Sequence, residues 1–254
     1  MYRFQFRRIA FACLSVLFIV LFASPMPSLA ATRISPQLEQ QVLQILKDHP
    51  EVLIQSVQAY QERQNQAVQQ AQQAFLQNLQ TNPQQVIGDS PIFGNAESKT
   101  VLVEFSDFEC PYCADAHKTL KQFLAKHPND VALTYKHFPL TPIHSQARPS
   151  ALAAWAANQQ GKFWEYHDAL FTQQDKLGEA LYVEIAEKLN LDLDKWKSDR
   201  TSEAANNAII KDIQLAQSLG ISGTPFFVLN GQTFSGAVKL ADIEKILLAK
   251  NPTP

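Results

Sequence analysis

Two cysteines three positions apart, Cys110 and Cys113, are the residues of this chain whose chemistry is easiest to state. They stand in the run Cys110-Pro111-Tyr112-Cys113, between two different kinds of sequence. Residues 101–105 before them, with Val101, Leu102, Val103 and Phe105, read as a buried strand. Residues 114–126 after them carry helix formers and an apolar stripe of Ala116, Leu120, Phe123 and Leu124. The pair therefore falls where a strand ends and a helix begins. The first N–H groups of a helix have no partner within it, and the helix dipole places partial positive charge there. A thiolate at Cys110 is stabilised in that position, so its pKa falls and it is nucleophilic at neutral pH. Cys113, one turn on, can resolve a mixed disulfide by attacking Cys110. Pro111 suits the first helical turn, where its missing N–H costs nothing. Glu109 is adjacent and opposes the thiolate, which predicts a partial depression.

The rival reading of a lone CxxC is half a zinc site. No second CxxC exists, and the remaining cysteine is Cys13. His117, His137 and His144 do not fall at metal-ligand spacing from the cysteines and read as surface or core polar residues, so no metal is expected. Glu104 is an acid within a buried strand, six residues before Cys110. Charged side chains are rarely buried alone. It is either an edge carboxylate facing water or a proton acceptor for Cys113, whose thiol must lose its proton to attack. Lys136, on the next predicted strand, is its candidate partner.

The elements around this site can be read in order. Residues 1–30 have a basic start (Arg3, Arg7, Arg8), an uncharged apolar run over 9–23 and a small-x-small site at Ser28-Leu29-Ala30. This is the pattern of a secretory signal peptide; the alternative is an uncleaved membrane anchor. Its removal takes away Cys13 and leaves Cys110 and Cys113 alone. An exported protein meets oxidants, and a pair this close staples no long loop. Without those three arginines, 19 Lys+Arg oppose 24 Asp+Glu, a net charge of −5. Such a mildly acidic chain gives no reason to expect nucleic acid as a partner.

Residues 31–85 read as an N-terminal helical arm. Ser35-Pro36 starts one helix. His49-Pro50-Glu51 interrupts it and starts a second over about 51–80. Leu53, Val57, Tyr60, Ala67, Ala71 and Phe75 fall near one face of that second helix. They form either a weak coiled-coil seam or a face packed on their own domain. Residues 86–99, with Gly88, Pro91, Gly94 and Asn95, read as a linker. Residues 131–138 read as a second strand, parallel to the first across the intervening helix. A helical segment follows over about 142–220, with Gly220 as its last C-terminal cap. Residues 225–229 and 232–235 form a hairpin about Asn230-Gly231, and 239–248 a closing helix.

Residues 103–113, Lys136-His137-Phe138-Pro139-Leu140 and Gly223-Thr224-Pro225, with the helical segment between them, resemble the DsbA-like branch of the thioredoxin superfamily over roughly 86–249. The resemblance implies an α/β thioredoxin fold with an inserted helical subdomain, preceded here by the helical arm. A similar arm occurs in ScsC-like and Com1-like members, where it can mediate homo-oligomers. It also implies that Thr224-Pro225 is a cis-proline turn facing the cysteines. Substrate polypeptide would bind at Thr224, Pro225, Pro111 and Tyr112, with the two residues between the cysteines tuning the redox potential. A histidine is common at the position of Tyr112 in strong oxidants of the family. The position of Glu104 is acidic in the family.

The expected function is that of an exported, periplasmic or otherwise extracytoplasmic thiol:disulfide oxidoreductase. It would exchange the Cys110–Cys113 disulfide with cysteines of exported polypeptides and need no cofactor. As an oxidant it would be reoxidised by a membrane quinone-linked partner of the DsbB or VKOR kind. The alternatives are an oligomeric isomerase or reductase kept reduced by a reductant, and a non-catalytic envelope binding protein.

Overall fold

The structure, a computed structural model, describes residues 35–249. The expected signal peptide and Cys13 lie outside the described residues. The chain divides into two compact units, Met1–Tyr60 and Gln61–Pro254.

The described part of the first unit is helical. Helix α1 (Pro36–Asp48) is capped by Ser35, whose Oγ accepts the Leu38 N–H at 3.2 Å. Helix α2 begins at Pro50 and runs to Thr81, crossing into the second unit. Up to Tyr60 its large apolar residues are exposed, Leu53, Val57 and Tyr60 among them.

The second unit begins within α2, where the same helix changes character. Phe75 and Leu79 are buried in a cluster with Val101, Val103, Phe105, Ala216 and Leu219. The apolar face expected to be one stripe is therefore two: exposed from Leu53 to Ala67, and packed into the core from Ala71 on. Gly220 fits this packing closely. Its φ is +72°, and a Cβ there would stand 3.0 Å from Val68 Cγ1.

A short helix α3 (Pro83–Ile87) and an edge strand β1 (Ile92–Gly94) follow. The expected linker over 86–99 is thus partly structured. Strand β1 pairs antiparallel with β3 (Ala132–His137), which pairs parallel with β2 (Val101–Ser106). Strand β4 (Phe226–Leu229) is antiparallel to β2, and β5 (Gln232–Ser235) closes the order β1-β3-β2-β4-β5. Helix α4 (Pro111–Lys126) connects β2 to β3.

The parallel register assigns side chains to faces. Glu104 pairs with Tyr135 and Ser106 with His137, while Phe105 pairs with Lys136. Side chains alternate across a sheet, so Phe105 and Lys136 point away from Glu104. On that opposite face lie the end of α2 and the helix α9 (Glu203–Ser218). The Glu104 face is covered by α4, by the C-terminal helix α10 (Leu240–Leu248) and by the helical insertion other than α9.

That insertion comprises α5 (Ala147–Asn158), α6 (Phe163–Thr172), α7 (Glu179–Lys188), α8 (Leu193–Arg200) and α9. Helix α8, LDKWKSDR, buries only Trp196. The Trp196 ring is fully buried, and its Nε1–H donates to the Ala153 carbonyl at 3.0 Å. Among the described residues, no helix is long and apolar enough to cross a membrane.

Candidate active site

The cysteines are placed by the strand-to-helix junction. Cys110 is the N-cap of α4, and Pro111 is its first residue. Both sulfurs are in the thiol form and both residues are buried: Cys110 keeps 4% of its surface exposed and Cys113 none. Cys110 is thus less projecting than a helix tip suggests, but it is the one of the two with accessible surface. Tyr112, between them, is 60% exposed.

The Thr224-Pro225 peptide is cis. The loop that carries it reaches the cysteines: Cys110 Sγ–H donates to the Thr224 carbonyl at 3.4 Å. The Thr224 hydroxyl is buried with no hydrogen-bond partner.

The two thiols are driven apart in acidity. The Cys110 pKa is lowered to about 5. The largest cause is the hydrogen bond from the Cys113 thiol, opposed by burial. The Thr224 side chain and the backbone N–H groups of Cys113 and Tyr112 add to the lowering. The helix N-terminus therefore contributes as expected, but the neighbouring thiol contributes more. Burial and the Cys110 sulfur push Cys113 far upward. The Glu109 carboxylate is turned to the backbone N–H of Gln146.

Glu104 is 1% exposed, and neither carboxylate oxygen has a hydrogen-bond partner. Burial raises its pKa to about 7. The edge-carboxylate reading is excluded by this burial. The suggested pairing with Lys136 is also wrong. Lys136 Nζ donates to the Ile87 carbonyl at 3.0 Å and to Ser90 Oγ at 2.8 Å, and lies 3.6 Å from Asp212 Oδ1. The strand alternation separates the two groups, one to each face of the sheet. Beside Glu104 stand instead Ser106 and Tyr135, whose hydroxyls are buried without partners. Ser106 acts on the acidity of Glu104, Cys113 and Tyr135 alike, so one small polar cluster joins the carboxyl to the inner thiol.

Several further residues hold the site, and sequence reasoning did not single them out. Asp107 accepts the N–H of Glu109 at 2.8 Å, the N–H of Leu140 at 2.9 Å and a contact from His144 Nδ1 at 2.7 Å. It ties the active-site loop to the segment after β3. Gln174 Nε2, in a 3-10 turn of the insertion, donates to the carbonyls of Phe108 and Cys110 at 2.8 and 2.9 Å. His117 and His137 are core histidines. Burial lowers them to about 4 and about 3, so both rings are neutral.

Residues 101–248 match the family described as DSBA-like thioredoxin domain, and the chain belongs to that family. A solved thioredoxin-like oxidoreductase from Silicibacter pomeroyi DSS-3 is 32% identical, with a TM-score of 0.59 over 63% of this chain and 91% of that one. Proteus mirabilis ScsC in a transitional conformation is 23% identical, with a TM-score of 0.60 over 84% and 97%. The thiol-disulfide exchange protein alpha-DsbA2 of Wolbachia pipientis is 19% identical, with a TM-score of 0.61 over 73% and 96%. These last two likenesses are of fold. Among curated proteins, the chain is 35% identical over 156 residues to the Na(+)/H(+) antiporter NhaA 3 of Salinispora tropica. That match covers 61% of this chain and 24% of the antiporter, so the chain spans about a quarter of that relative's length. The fold is that of thiol-disulfide oxidoreductases, and it supports disulfide exchange in general.

Proposed function

We propose that the chain is an exported protein thiol:disulfide oxidoreductase that donates the Cys110–Cys113 disulfide to cysteines of exported polypeptides. The observation that carries this reading is the Cys110 thiol, lowered to about 5 beside a buried Cys113 pushed upward. A stabilised thiolate favours the reduced protein and so makes its disulfide a strong oxidant.

In the forward direction a substrate thiolate attacks Cys110 Sγ, and the Cys110–Cys113 bond breaks. Cys113 leaves with the electron pair and takes up a proton, for which the Glu104 carboxyl is the donor. A second substrate thiolate then attacks the substrate sulfur of the mixed disulfide and releases the Cys110 thiolate. The substrate loses two electrons and the cysteine pair gains them. Thr224, Pro225, Pro111 and Tyr112 form the surface on which the substrate backbone lies. A membrane quinone-linked partner of the DsbB or VKOR kind then removes the two electrons. Export rests on the basic, apolar and small-residue order of residues 1–30.

A second reading is an oligomeric isomerase or reductase. It is favoured by the exposed Leu53, Val57 and Tyr60. A redox titration of the purified protein separates the two. A midpoint toward about −120 mV supports the oxidant, and one toward about −270 mV the reductant. Refolding of a reduced, cysteine-containing substrate by the wild type but not by Cys110→Ser establishes the exchange itself; equal refolding by both would overturn it.

A further inference from the structure

His117, on α4 one turn beyond Cys113, meets two consecutive residues of α6, His167 and Asp168. One nitrogen from each ring and one carboxylate oxygen all lie within 4.8 Å of one another. His117 Nε2 is 3.6 Å from Asp168 Oδ1, and His167 Nδ1 is 3.1 Å from the same oxygen. Tetrahedral zinc with bonds of about 2.0–2.1 Å sets its ligands roughly 3.4 Å apart. The observed spacings bracket that value.

We propose that His117, His167 and Asp168 bind a zinc ion that links the active-site helix α4 to α6 of the insertion. Two neutral imidazoles and one carboxylate are a donor set suited to zinc. The rings are held in place: His117 stacks on Phe171 at 5.2 Å, and the His167 ring meets Phe108, Tyr135 and Trp164 edge-on. Lys121 Nζ lies 2.6 Å from Asp168 Oδ2. It orients the carboxylate as outer partners of metal ligands do, and it leaves Oδ1 for the metal. The other nearby ammonium, Lys118, is paired with Asp115.

A second observation points to a ligand at the same place. The three residues line a cavity of about 450 Å³ that also contains Glu104. Both Glu104 oxygens are buried there without a hydrogen-bond partner. Buried polar atoms are rarely left unpaired. Zinc in this cavity would leave its fourth position for water. The Asp168 side chain is 36% exposed and marks the path of entry. The spacing is invisible in the sequence, because the two histidines stand 50 positions apart.

The test uses the full chain carrying Cys13→Ser, with Cys110 and Cys113 oxidised so that no thiol competes for metal. Zinc is titrated against a chromophoric chelator. One zinc ion per chain is expected, with nitrogen and oxygen neighbours at about 2.0–2.1 Å and no sulfur near about 2.3 Å in X-ray absorption. His117→Asn and Asp168→Asn should each weaken binding by about tenfold or more. Zinc should raise the Tm of the parent protein and not that of Asp168→Asn. Asp168 is part-exposed, so its variant decides the matter if His117→Asn does not fold. Failure to bind zinc, sulfur among the neighbours, or unchanged affinity in folded Asp168→Asn would each overturn the site. None of these readouts depends on disulfide exchange.

Discussion

Glu104 stands directly across from Tyr135 in the parallel register of β2 and β3, and its carboxylate faces a buried hydroxyl with which it makes no hydrogen bond. A carboxyl raised to about 7 favours the protonated form. Its contribution to stability is complete below the unfolded value of about 4.5 and is lost as pH rises through about 7. That shift corresponds to about 3 kcal/mol at alkaline pH. Glu104→Gln should therefore unfold at higher denaturant above pH 7 than the wild type, with the difference vanishing near pH 4. A difference independent of pH would mean that the carboxyl is not buried in solution.

The same variant tests the proton path. Attack of Cys113 on a mixed disulfide requires its proton to leave, and Glu104, raised to about 7 and sharing Ser106 with Cys113, is the proposed acceptor. Stopped-flow kinetics of Glu104→Gln should show this resolution slowed by about a hundredfold. Attack of a substrate thiolate on the oxidised pair is the reverse of this step, with Glu104 returning the proton to Cys113, and should be slowed to a similar degree. A slowing that does not change as pH passes through about 7 would assign the effect to packing.

Cys110 supplies a second titration. The thiolate absorbance of the reduced protein should rise with a midpoint near about 5. The thiolate's contribution to the stability of the reduced form is complete above the unfolded pKa of about 9 and is lost as pH falls through about 5. Cys113→Ala, which removes the donor, should raise the Cys110 midpoint, since the Cys113 side chain is the largest cause of the lowering. An unchanged midpoint in Cys113→Ala would leave the helix terminus as the main cause.

Gln174 is predicted to act as a clamp on the active-site loop. Gln174→Ala leaves the carbonyls of Phe108 and Cys110 without their shared donor. The loss should cost about 1–3 kcal/mol in denaturant unfolding, and the Cys110 absorbance midpoint should shift as the helix N-cap loosens. An unchanged midpoint alongside lost stability would limit Gln174 to holding the insertion.

The two halves of α2 should respond oppositely to truncation. Phe75→Ala removes a buried ring from the β2 face and should destabilise the protein by about 3–5 kcal/mol. Tyr60→Ser should leave stability nearly unchanged, because the side chain is exposed. If Leu53, Val57 and Tyr60 cover one another between copies, light scattering of a chain beginning at Gln61 should show a smaller mass than the full chain. Equal masses would remove these residues from any interface.

What the sequence revealed, and what it hid, follows from the range of the interactions. The strand, the CPYC turn, the helix after it and the Asn230-Gly231 hairpin are local, and each matched its expected place within a residue or so. Strand β1 was hidden because it has three residues, one of them Gly94, and it exists only through pairing with β3. Among the site residues, Cys110 and Cys113 announced themselves by spacing, whereas Asp107, His144 and Gln174 act from separated segments. The error at Lys136 was one of parity. Neighbouring strands were recognised, but which residues share a face depends on register, and no local pattern states it.

That parity also protects the folding chain from a specific mistake. Lys136 is held on the α9 side by Asp212, whose second oxygen accepts the His137 N–H at 2.9 Å. Sliding β3 by a single residue would turn every side chain over. The ammonium would then enter the greasy layer around Phe108 and Cys113, and Asp212 would be stranded without a countercharge. Both penalties fall on the same wrong pairing, so the ion pair works as a proofreading device: it admits one alignment of the central strands and makes the adjacent one expensive.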